Sequence, residues 1–316
     1  MRIPRVILGS LLLVACMGAA GCHSQAVLGP QGQWSGPPRG LTSPSWSPDG
    51  KALVFLAQAR PNDHTSNTWR INVDGTGLRQ LTKKPIDSEH VVWSRDGKNI
   101  YYVAEDTYGA HIWRMGANGG PAVRVTGPRS DGDFQEFIEF ALSRDGKQMI
   151  AVWSRPETGD QLALMSNGGV VKKLLTSCPH MVSCPSWLPD GRSFACVANC
   201  NIWKGIIANP KQFKQITFQP ASESTTDEFG VSDLACSPTD GRFAFLISSR
   251  LWMMDSDTKR MHQVLNGDGS EYAPAWSPDG KQIAFVRMLA GVNKEEIWTA
   301  YADGTKPRRV TNFPDW

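Results

Sequence analysis

Short apolar segments separated by polar turns recur along most of the chain at nearly regular intervals. The stretch SWSPDGKALVF, which starts at Ser45, closely resembles AWSPDGKQIAF, which starts at Ala275, and four further copies lie between them. In each copy, segments rich in β-branched and aromatic residues flank an Asp-Gly turn that is often preceded by proline. This arrangement is typical of a β-hairpin, so every copy predicts two antiparallel strands, A and B.

Two further markers follow each hairpin in a fixed order. The first is an apolar residue followed by tryptophan or its substitute, which predicts strand C, at Trp69, Trp113, Leu162, Trp203, Trp252 and Trp298. The second is an apolar-threonine pair such as Leu81-Thr82, which closes a predicted strand D, although the fifth copy lacks the threonine. The Asp-Gly turns are spaced by 47, 49, 45, 50 and 39 residues, so one unit has a period of roughly 45 residues.

A four-stranded unit of this size cannot cover its own faces and edges. Radial packing of six such sheets buries the faces against their neighbours and leaves only short edges, which is the β-propeller arrangement. Helical repeats are excluded because turn residues recur too often and no 3.6-residue period is sustained. The sequence therefore predicts an all-β fold, a six-bladed β-propeller of four-stranded antiparallel blades, over residues 41–316.

The pattern WSPDG(K/R)xIxF, followed by IW and LT, resembles the WD40-like repeat of the TolB β-propeller family, also called PD40. The resemblance covers about residues 41–316. It implies the six-bladed fold and, from what is known of TolB, contacts with envelope lipoproteins. It implies no single activity, because propellers host many unrelated functions.

The first 22 residues have the organisation of an export signal. Arg2 and Arg5 precede an apolar run that is too short to span a bilayer, and small residues then precede a cysteine. The resemblance to a bacterial lipobox implies lipidation of Cys22, with Cys16 as the alternative, and an ordinary cleaved signal without lipid remains open. Residues 23–40 are rich in Gly, Pro, Gln and Ser, which predicts a flexible tether.

The net charge of the chain bears on which classes of partner it can bind. The formal net charge of +3 includes Arg2 and Arg5, so removal of the signal leaves about +1. This balance gives no reason to expect nucleic acid or an acidic membrane surface as a partner. We expect a monomeric propeller on the periplasmic side of the outer membrane, held there only by its N-terminal lipid, with no cofactor.

Four of the five cysteines after the signal lie in the fourth unit. If the Pro-Asp-Gly turn sets the register, Cys184 lies opposite Cys196 and Cys178 lies diagonally near Cys200, and an oxidising compartment would allow both disulfides. Zinc is the alternative, with His180 as a further ligand, but the cysteine spacings match no common zinc site. Cys236 occupies a tryptophan position, which predicts a buried free thiol.

Strand direction sorts the loops between the two ends of the propeller. The A–B and C–D turns share one end, here called the tight-turn end. The B–C loops and the connections between blades share the other, here called the long-loop end, where binding residues usually lie. The long-loop end holds many acids, which are either a solvated surface or a rim that attracts a basic partner: Asp87, Glu89, Asp131, Asp133, Glu136, Asp227, Glu228, Asp268 and Glu271.

Three polar residues are predicted near the mouth of the central tunnel. His90, Glu139 and Asp233 each lie three residues before the tryptophan position of strand A. The alternation of side chains along a strand should turn them toward the axis, nearer the long-loop end. They would either hold a cation or a ligand amine, or form structural hydrogen bonds to neighbouring blades.

These features favour a non-enzymatic binding protein whose long-loop end docks a protein or an envelope component. The sequence contains no G-x-S-x-G elbow, so no catalytic residue is predicted. The alternative is a hydrolase or lyase that acts on a glycan or peptide at the tunnel mouth, with His90, Glu139 and Asp233 as the candidate set.

Overall fold

A computed structural model of the chain describes ten stretches of sequence: residues 39–58, 65–82, 90–106, 108–127, 136–155, 158–175, 182–218, 230–257, 259–289 and 294–313. These residues form 24 β-strands in six four-stranded antiparallel sheets, each built from strands consecutive in sequence. The predicted six-bladed propeller is therefore confirmed. The described residues contain no helix with the length and apolar character that a bilayer span requires.

Each blade contributes strands A to D in chain order. Blade 1 contains β1 (Arg39–Trp46), β2 (Ala52–Gln58), β3 (Ser66–Asn72) and β4 (Arg79–Gln80). Blade 2 contains β5 (Val91–Trp93), β6 (Asn99–Asp106), β7 (Gly109–Gly116) and β8 (Val123–Arg124). Blade 3 contains β9 (Glu136–Leu142), β10 (Gln148–Arg155), β11 (Gly159–Ser166) and β12 (Val171–Leu174).

The second half of the chain repeats this order. Blade 4 contains β13 (Val182–Trp187), β14 (Ser193–Ala198), β15 (Asn201–Ile206) and β16 (Asn209–Gln215). Blade 5 contains β17 (Val231–Cys236), β18 (Phe243–Ile247), β19 (Arg250–Met254) and β20 (Met261–Gln263). Blade 6 contains β21 (Ser270–Trp276), β22 (Gln282–Met288), β23 (Glu295–Tyr301) and β24 (Arg308–Arg309).

The repeated Ser-x-Asp-Gly sequence builds the A–B turns. In blade 1 the Gly50 N–H donates to the Ser47 carbonyl at 2.9 Å, and the Ser47 hydroxyl donates to Asp49 Oδ1 at 2.6 Å. The hydroxyl bond from Ser47 and the amide of Lys51 lower the pKa of Asp49. The same hydroxyl bond recurs in blades 2, 3 and 6, at Ser94, Ser143 and Ser277.

The threonine that ends most repeats also has a defined role. Its hydroxyl accepts a backbone N–H from strand C, as Thr82 does from Thr68 at 3.0 Å and Thr311 does from Ile297 at 2.8 Å. Blade 5 lacks this threonine, and the equivalent amide of Leu251 donates instead to the Glu271 carboxylate of blade 6 at 3.3 Å. Glu271 is 1% exposed, so a buried carboxylate from the next blade replaces the missing hydroxyl.

The core lies between blades. Each apolar cluster joins neighbouring sheets, and the cluster that closes the ring packs Leu53 and Phe55 of blade 1 against Val286 and Ile297 of blade 6. Full burial of side chains of this size contributes about 1.5–3 kcal/mol each. The first strands lie innermost, since β1 contacts β5 and β21, and β13 contacts β9 and β17.

Hydrogen bonds support the closing contact between blades 6 and 1, whose sheets exchange no strand within the described residues. The Trp46 indole N–H donates to the Ala275 carbonyl at 3.0 Å. The same bond occurs from Trp187 to the Ala141 carbonyl and from Trp276 to the Ala235 carbonyl. The closing seam therefore uses the contacts of the internal seams.

The predicted placement of the A–B and C–D turns at one end of the propeller is also observed. The N–H groups of Val73, Ala117 and Ala302, at the starts of C–D turns, donate to carbonyls in the A–B turns of their own blades. Both turn types therefore lie at the tight-turn end.

Two details differ from the sequence prediction. In blade 3 the Leu175 N–H donates to the Leu162 carbonyl, as Val125 does to Ile112, so Leu162 precedes the tryptophan position and Ala163 occupies it. The chain also enters blade 1 earlier than predicted, because β1 begins at Arg39, within the segment assigned to the tether.

Candidate functional site at the propeller axis

Six equivalent residues of the innermost strands form what we call the inner ring: Ser43, His90, Glu139, Cys184, Asp233 and Ala273. Each lies three positions before the tryptophan position of its blade, and each is partly exposed, whereas the residue that follows it is buried. This alternation turns the inner ring toward the axis, nearer the long-loop end.

The inner ring coincides with bulges in four blades. Ser43, Cys184, Asp233 and Ala273 have φ values of 49°, 51°, 49° and 52°. In each of these blades the pairing of strands A and B skips residues at this point, as between Tyr272 and Ala275. A bulge removes an amide from the ladder, so that N–H group needs another acceptor.

Carboxylates from the preceding blade supply that acceptor at two seams. The Asp233 Oδ2 atom accepts from the Ala273 N–H at 2.9 Å, and the Glu139 Oε2 atom accepts from the Cys184 N–H. Burial raises the pKa of Asp233, and the bond from Ala273 opposes that rise. Each carboxylate thus binds the backbone of the equivalent position one blade further along the chain.

His90 makes a contact of a different kind with its neighbouring blade. Its Nε2 atom lies 2.7 Å from the Phe140 carbonyl, and its ring meets the Phe140 ring edge-on at a centroid distance of 5.0 Å. Burial lowers the pKa of His90 to about 4, although the Phe140 carbonyl favours the protonated ring. The ring is therefore neutral at pH 7, and Nε2 carries the proton that it donates to the carbonyl.

Cys184 lies between the two carboxylates. Burial raises the pKa of its thiol, and the charges of Glu139 and Asp233 raise it further. The described residues include no group of three His, Cys, Asp or Glu side chains that could hold a metal ion. His90, Glu139 and Asp233 lie in blades 2, 3 and 5 of the ring. Each of them bonds to the next blade, and they do not form a common metal site.

The seam between blades 6 and 1 uses residues that the sequence analysis missed. Ala273 has no polar side chain, and Glu295 Oε2 of strand C accepts the Leu41 N–H of blade 1 at 2.6 Å. Burial raises the pKa of the Tyr272 hydroxyl, and the nearby carboxylates of Glu295 and Asp233 raise it further. Only the absence of an acceptor at Ala273 hinted that another residue was needed.

The predicted acidic rim is only partly described. Of its members, Glu136, Asp268 and Glu271 are described, and the others lie outside the described residues. Asp268 is exposed, whereas Glu271 is buried beside Arg287 Nε at 3.7 Å and Arg250 Nη1 at 3.9 Å. Burial raises the pKa of Glu271, and the bond from Leu251 and the charges of Arg287 and Arg250 oppose that rise. Glu271 is therefore a structural residue rather than part of an exposed rim.

The cysteines of blade 4 differ from the prediction. Cys184 is a free thiol, so the predicted Cys184–Cys196 disulfide is not formed. The bulge shifts the register, so that Ser183 pairs with Val197 and Ser186 with Ala195. Cys184 consequently packs against the core between blades 4 and 5, whereas Cys196 belongs to the core between blades 3 and 4.

The other cysteine predictions have separate outcomes. Cys236 is a buried free thiol, as predicted. Cys200 ends a B–C turn with φ 57°, and its carbonyl accepts the Val231 N–H at 2.9 Å. Its predicted partner Cys178, the zinc candidate His180 and the lipidation candidates Cys16 and Cys22 lie outside the described residues.

Two of the curated relatives that the chain resembles are named as peptidases. The chain is 26% identical over 228 residues to an uncharacterized peptidase, YuxL, of Bacillus subtilis, covering 69% of this chain and 31% of that protein. It is 23% identical over 263 residues to dipeptidyl-peptidase 5 of Porphyromonas gingivalis, covering 77% of this chain and 36% of that protein. The chain thus spans about a third of the length of these curated relatives.

The fold also matches a solved structure, that of a putative TolB from Agrobacterium tumefaciens. The TM-score is 0.61 at 19% identity, and the match covers 76% of this chain and 86% of that one. At this identity the likeness shows the fold alone. The sequence model described as the TolB beta propeller domain, PD40, matches residues 34–209, more than half of the 316-residue chain. The chain therefore belongs to the TolB β-propeller family.

Proposed function

We propose that this protein is a non-enzymatic, lipid-anchored binding protein of the cell envelope, whose propeller docks a protein or an envelope component at its long-loop end. The observation that carries the proposal is that the polar side chains of the inner ring are engaged in bonds between blades. Both carboxylates of that ring and its histidine bond to the backbone of the adjoining blade. Polar groups held in this way favour a rigid platform over catalytic groups that must change partners during a reaction.

The charge of the platform favours a basic partner. Asp233 makes no ion pair with any described residue, and its carboxylate lies close enough to Cys184 and Tyr272 to raise the pKa of both. The exposed Asp268 adds negative charge at the same end. Such a field steers a cationic surface toward the mouth and sets its orientation there.

The test uses two exposed aspartates at opposite ends of the propeller. The exported protein is purified in detergent with its lipid, used to capture a stoichiometric partner from native envelope extract, and its affinity for that purified partner is measured. Asp268→Lys alters the long-loop end, and Asp257→Lys makes the same charge change in a C–D turn. We expect about threefold or more weakening for Asp268→Lys at low salt and little change for Asp257→Lys. Equal affinities for both variants and the unchanged protein would contradict docking at the long-loop end.

A second candidate function is favoured by the names of the relatives. YuxL is named as an uncharacterized peptidase, and another curated relative is named as a dipeptidyl-peptidase. Hydrolysis of a peptide at the tunnel mouth would follow from that similarity, whereas action on a glycan rests on the sequence-based alternative alone. Turnover of a peptide or glycan library by the purified protein, abolished by His90→Gln or Glu139→Gln, would favour this candidate over docking.

The lipid anchor has its own test. Intact mass of the exported protein should show a diacylglyceryl-modified N-terminal cysteine, and Cys22→Ser should remove the modification. Retention of the lipid in Cys22→Ser and its loss in Cys16→Ser would assign Cys16 instead. An unmodified mature chain in both cases would exclude the anchor but leave docking open.

A further inference from the structure

The A–B turns form a second ring, at the tight-turn end, which we call the turn ring. A Cβ atom placed on Gly97 of blade 2 would lie 3.8 Å from the Pro48 ring of blade 1, and one on Gly146 of blade 3 would lie 4.0 Å from Arg95 Cβ. Gly241 faces Pro189 in the same way, at 3.5 Å. In these three blades the turn abuts the second residue of the turn before it, whereas a Cβ atom on Gly280 would meet Thr239 of blade 5 and one on Gly50 or Gly191 would meet no atom within 4 Å. Because these turns extend the innermost strands, the turn ring surrounds the axis.

The second position of the turn departs from the repeat in two adjacent blades. Four blades have proline there, at Pro48, Pro189, Pro238 and Pro278, whereas blades 2 and 3 have Arg95 and Arg144. The turns themselves are alike, since the Gly97 and Gly146 N–H groups donate to Ser94 and Ser143 as Gly50 does to Ser47. Proline is preorganised for this position, so the two arginines give up that advantage.

Neither arginine gains a polar partner among the described residues in exchange. Among the described residues, Arg95 and Arg144 form no hydrogen bond or ion pair, and both are exposed. The adjacent aspartates are engaged elsewhere, because Asp96 Oδ1 accepts from the Ser94 hydroxyl and the Lys98 amide. Asp145 is held in the same way by Ser143 and Lys147.

The electrostatic environment of the pair is unfavourable without a ligand. Although the Arg95 side chain is exposed, the atoms around its guanidinium group partly exclude water and lower its pKa, and the charge of Arg144 lowers it further. Some other arginines of the described residues have carboxylate partners, since Arg242 Nε lies 2.8 Å from Asp240 and Arg124 Nη1 lies 2.9 Å from Asp106. Two neighbouring guanidinium groups that repel each other are stabilised when an anion lies between them.

We propose that Arg95 and Arg144 form a binding site for a phosphate group at the tight-turn mouth of the propeller axis. Guanidinium groups bind the oxygens of phosphate in bidentate fashion, and two neighbouring guanidiniums match its charge and its several acceptors better than those of a single carboxylate. Lys98 and Lys147, one residue after the turn glycines, add positive charge to the same two turns. The site lies at the opposite end from the proposed docking surface and does not depend on it.

The test measures binding of inorganic phosphate to the full protein in detergent by isothermal titration calorimetry. The double variant Arg95→Pro/Arg144→Pro restores the turn residue of the other blades and removes both guanidiniums. The control double variant Arg192→Ser/Lys281→Ser removes two positive charges from other A–B turns of the same ring. We expect saturable binding that weakens about tenfold or more in the proline variant and less than about twofold in the control.

A second ligand and a replacement variant complete the experiment. Glycerophosphoglycerol, the soluble headgroup of a phospholipid, distinguishes the source, since tighter binding than inorganic phosphate indicates a lipid headgroup and weaker binding a free phosphate. If the proline variant does not fold, Arg95→Ser/Arg144→Ser replaces it. Absence of saturable phosphate binding, or equal weakening in the proline and control variants, would overturn the proposal.

Discussion

Polar residues at the two ends of the propeller axis differ in whether they have partners within the protein. At the inner ring, near the long-loop end, Asp233, Glu139 and His90 each bind the backbone of an adjoining blade. At the turn ring, near the tight-turn end, Arg95 and Arg144 have no partner among the described residues. A departure from the repeat that is compensated within the ring has a structural explanation. The departure at Arg95 and Arg144 has no such compensation among the described residues, and the proposed phosphate site accounts for it.

The largest effect is expected from the backbone of the tight-turn end. Gly304, in the C–D turn of blade 6, has φ 80°, and a Cβ atom there would overlap the Val264 carbonyl of blade 5. Gly304→Ala should lower the free energy of unfolding by about 3 kcal/mol or more, because it adds a backbone clash to the strain of a positive φ. Urea unfolding measures the change.

Gly50→Ala is the matched control for that variant. Gly50 has φ 69° with no atom within 4 Å of the added Cβ, so only the conformational term of about 1–2 kcal/mol applies. Equal destabilisation by the two substitutions would show that the turns are not packed against the neighbouring blades.

The next effect concerns His90 and pH. Its pKa is about 4 in the folded protein, against an ordinary value of 6.5. The native state holds the neutral ring, so the stability that this provides is complete above pH 6.5 and is lost as the pH falls from 6.5 toward 4. A shift of this size corresponds to about 3 kcal/mol.

His90→Gln isolates that contribution. Glutamine keeps an N–H donor for the Phe140 carbonyl but does not titrate, so the stability difference between the two proteins should change as the medium is acidified through this range. Urea unfolding at several pH values measures it. Parallel curves for the two proteins would mean that the ring is not kept neutral by the fold.

A smaller effect is expected at Asp233. Asp233→Ala leaves the Ala273 N–H without its acceptor and should lower the free energy of unfolding by about 1–3 kcal/mol. Asp233→Asn keeps an acceptor oxygen and should stay close to the original stability near pH 7. Because the pKa of Asp233 is raised, its charge opposes folding as pH increases through that pKa, and the asparagine variant lacks this slope. Similar losses in both variants would contradict the structural role.

The smallest effect has the opposite sign. Arg95→Pro and Arg144→Pro should each raise the free energy of unfolding by about 0.4–1 kcal/mol, because proline restricts the unfolded chain and suits this turn position. Thermal unfolding in phosphate-free buffer measures the change. Destabilisation by both would mean that the arginines make stabilising contacts within the protein.

The repeated blades could be predicted because their determinants are local. The serine, aspartate and glycine of one turn contact each other within five residues, so each copy indicates its own hairpin. Leu162 was misplaced by one position because blade 3 has no tryptophan there, and only the bond from Leu175 marks the register. The Cys184–Cys196 pairing failed for a related reason, because a bulge between Ser183 and Ser186 cannot be seen in an apolar-polar pattern.

Six blades, their strand order and the shared end of the A–B and C–D turns can be read from the amino-acid sequence, because they follow from turn chemistry and side-chain alternation within one unit. Which polar groups find partners depends instead on the packing of the sheets. Asp233 meets the amide of Ala273, and Leu251 meets the carboxylate of Glu271, across seams between blades. Such bonds depend on how neighbouring sheets pack around the axis, and no periodicity within a single repeat encodes that packing.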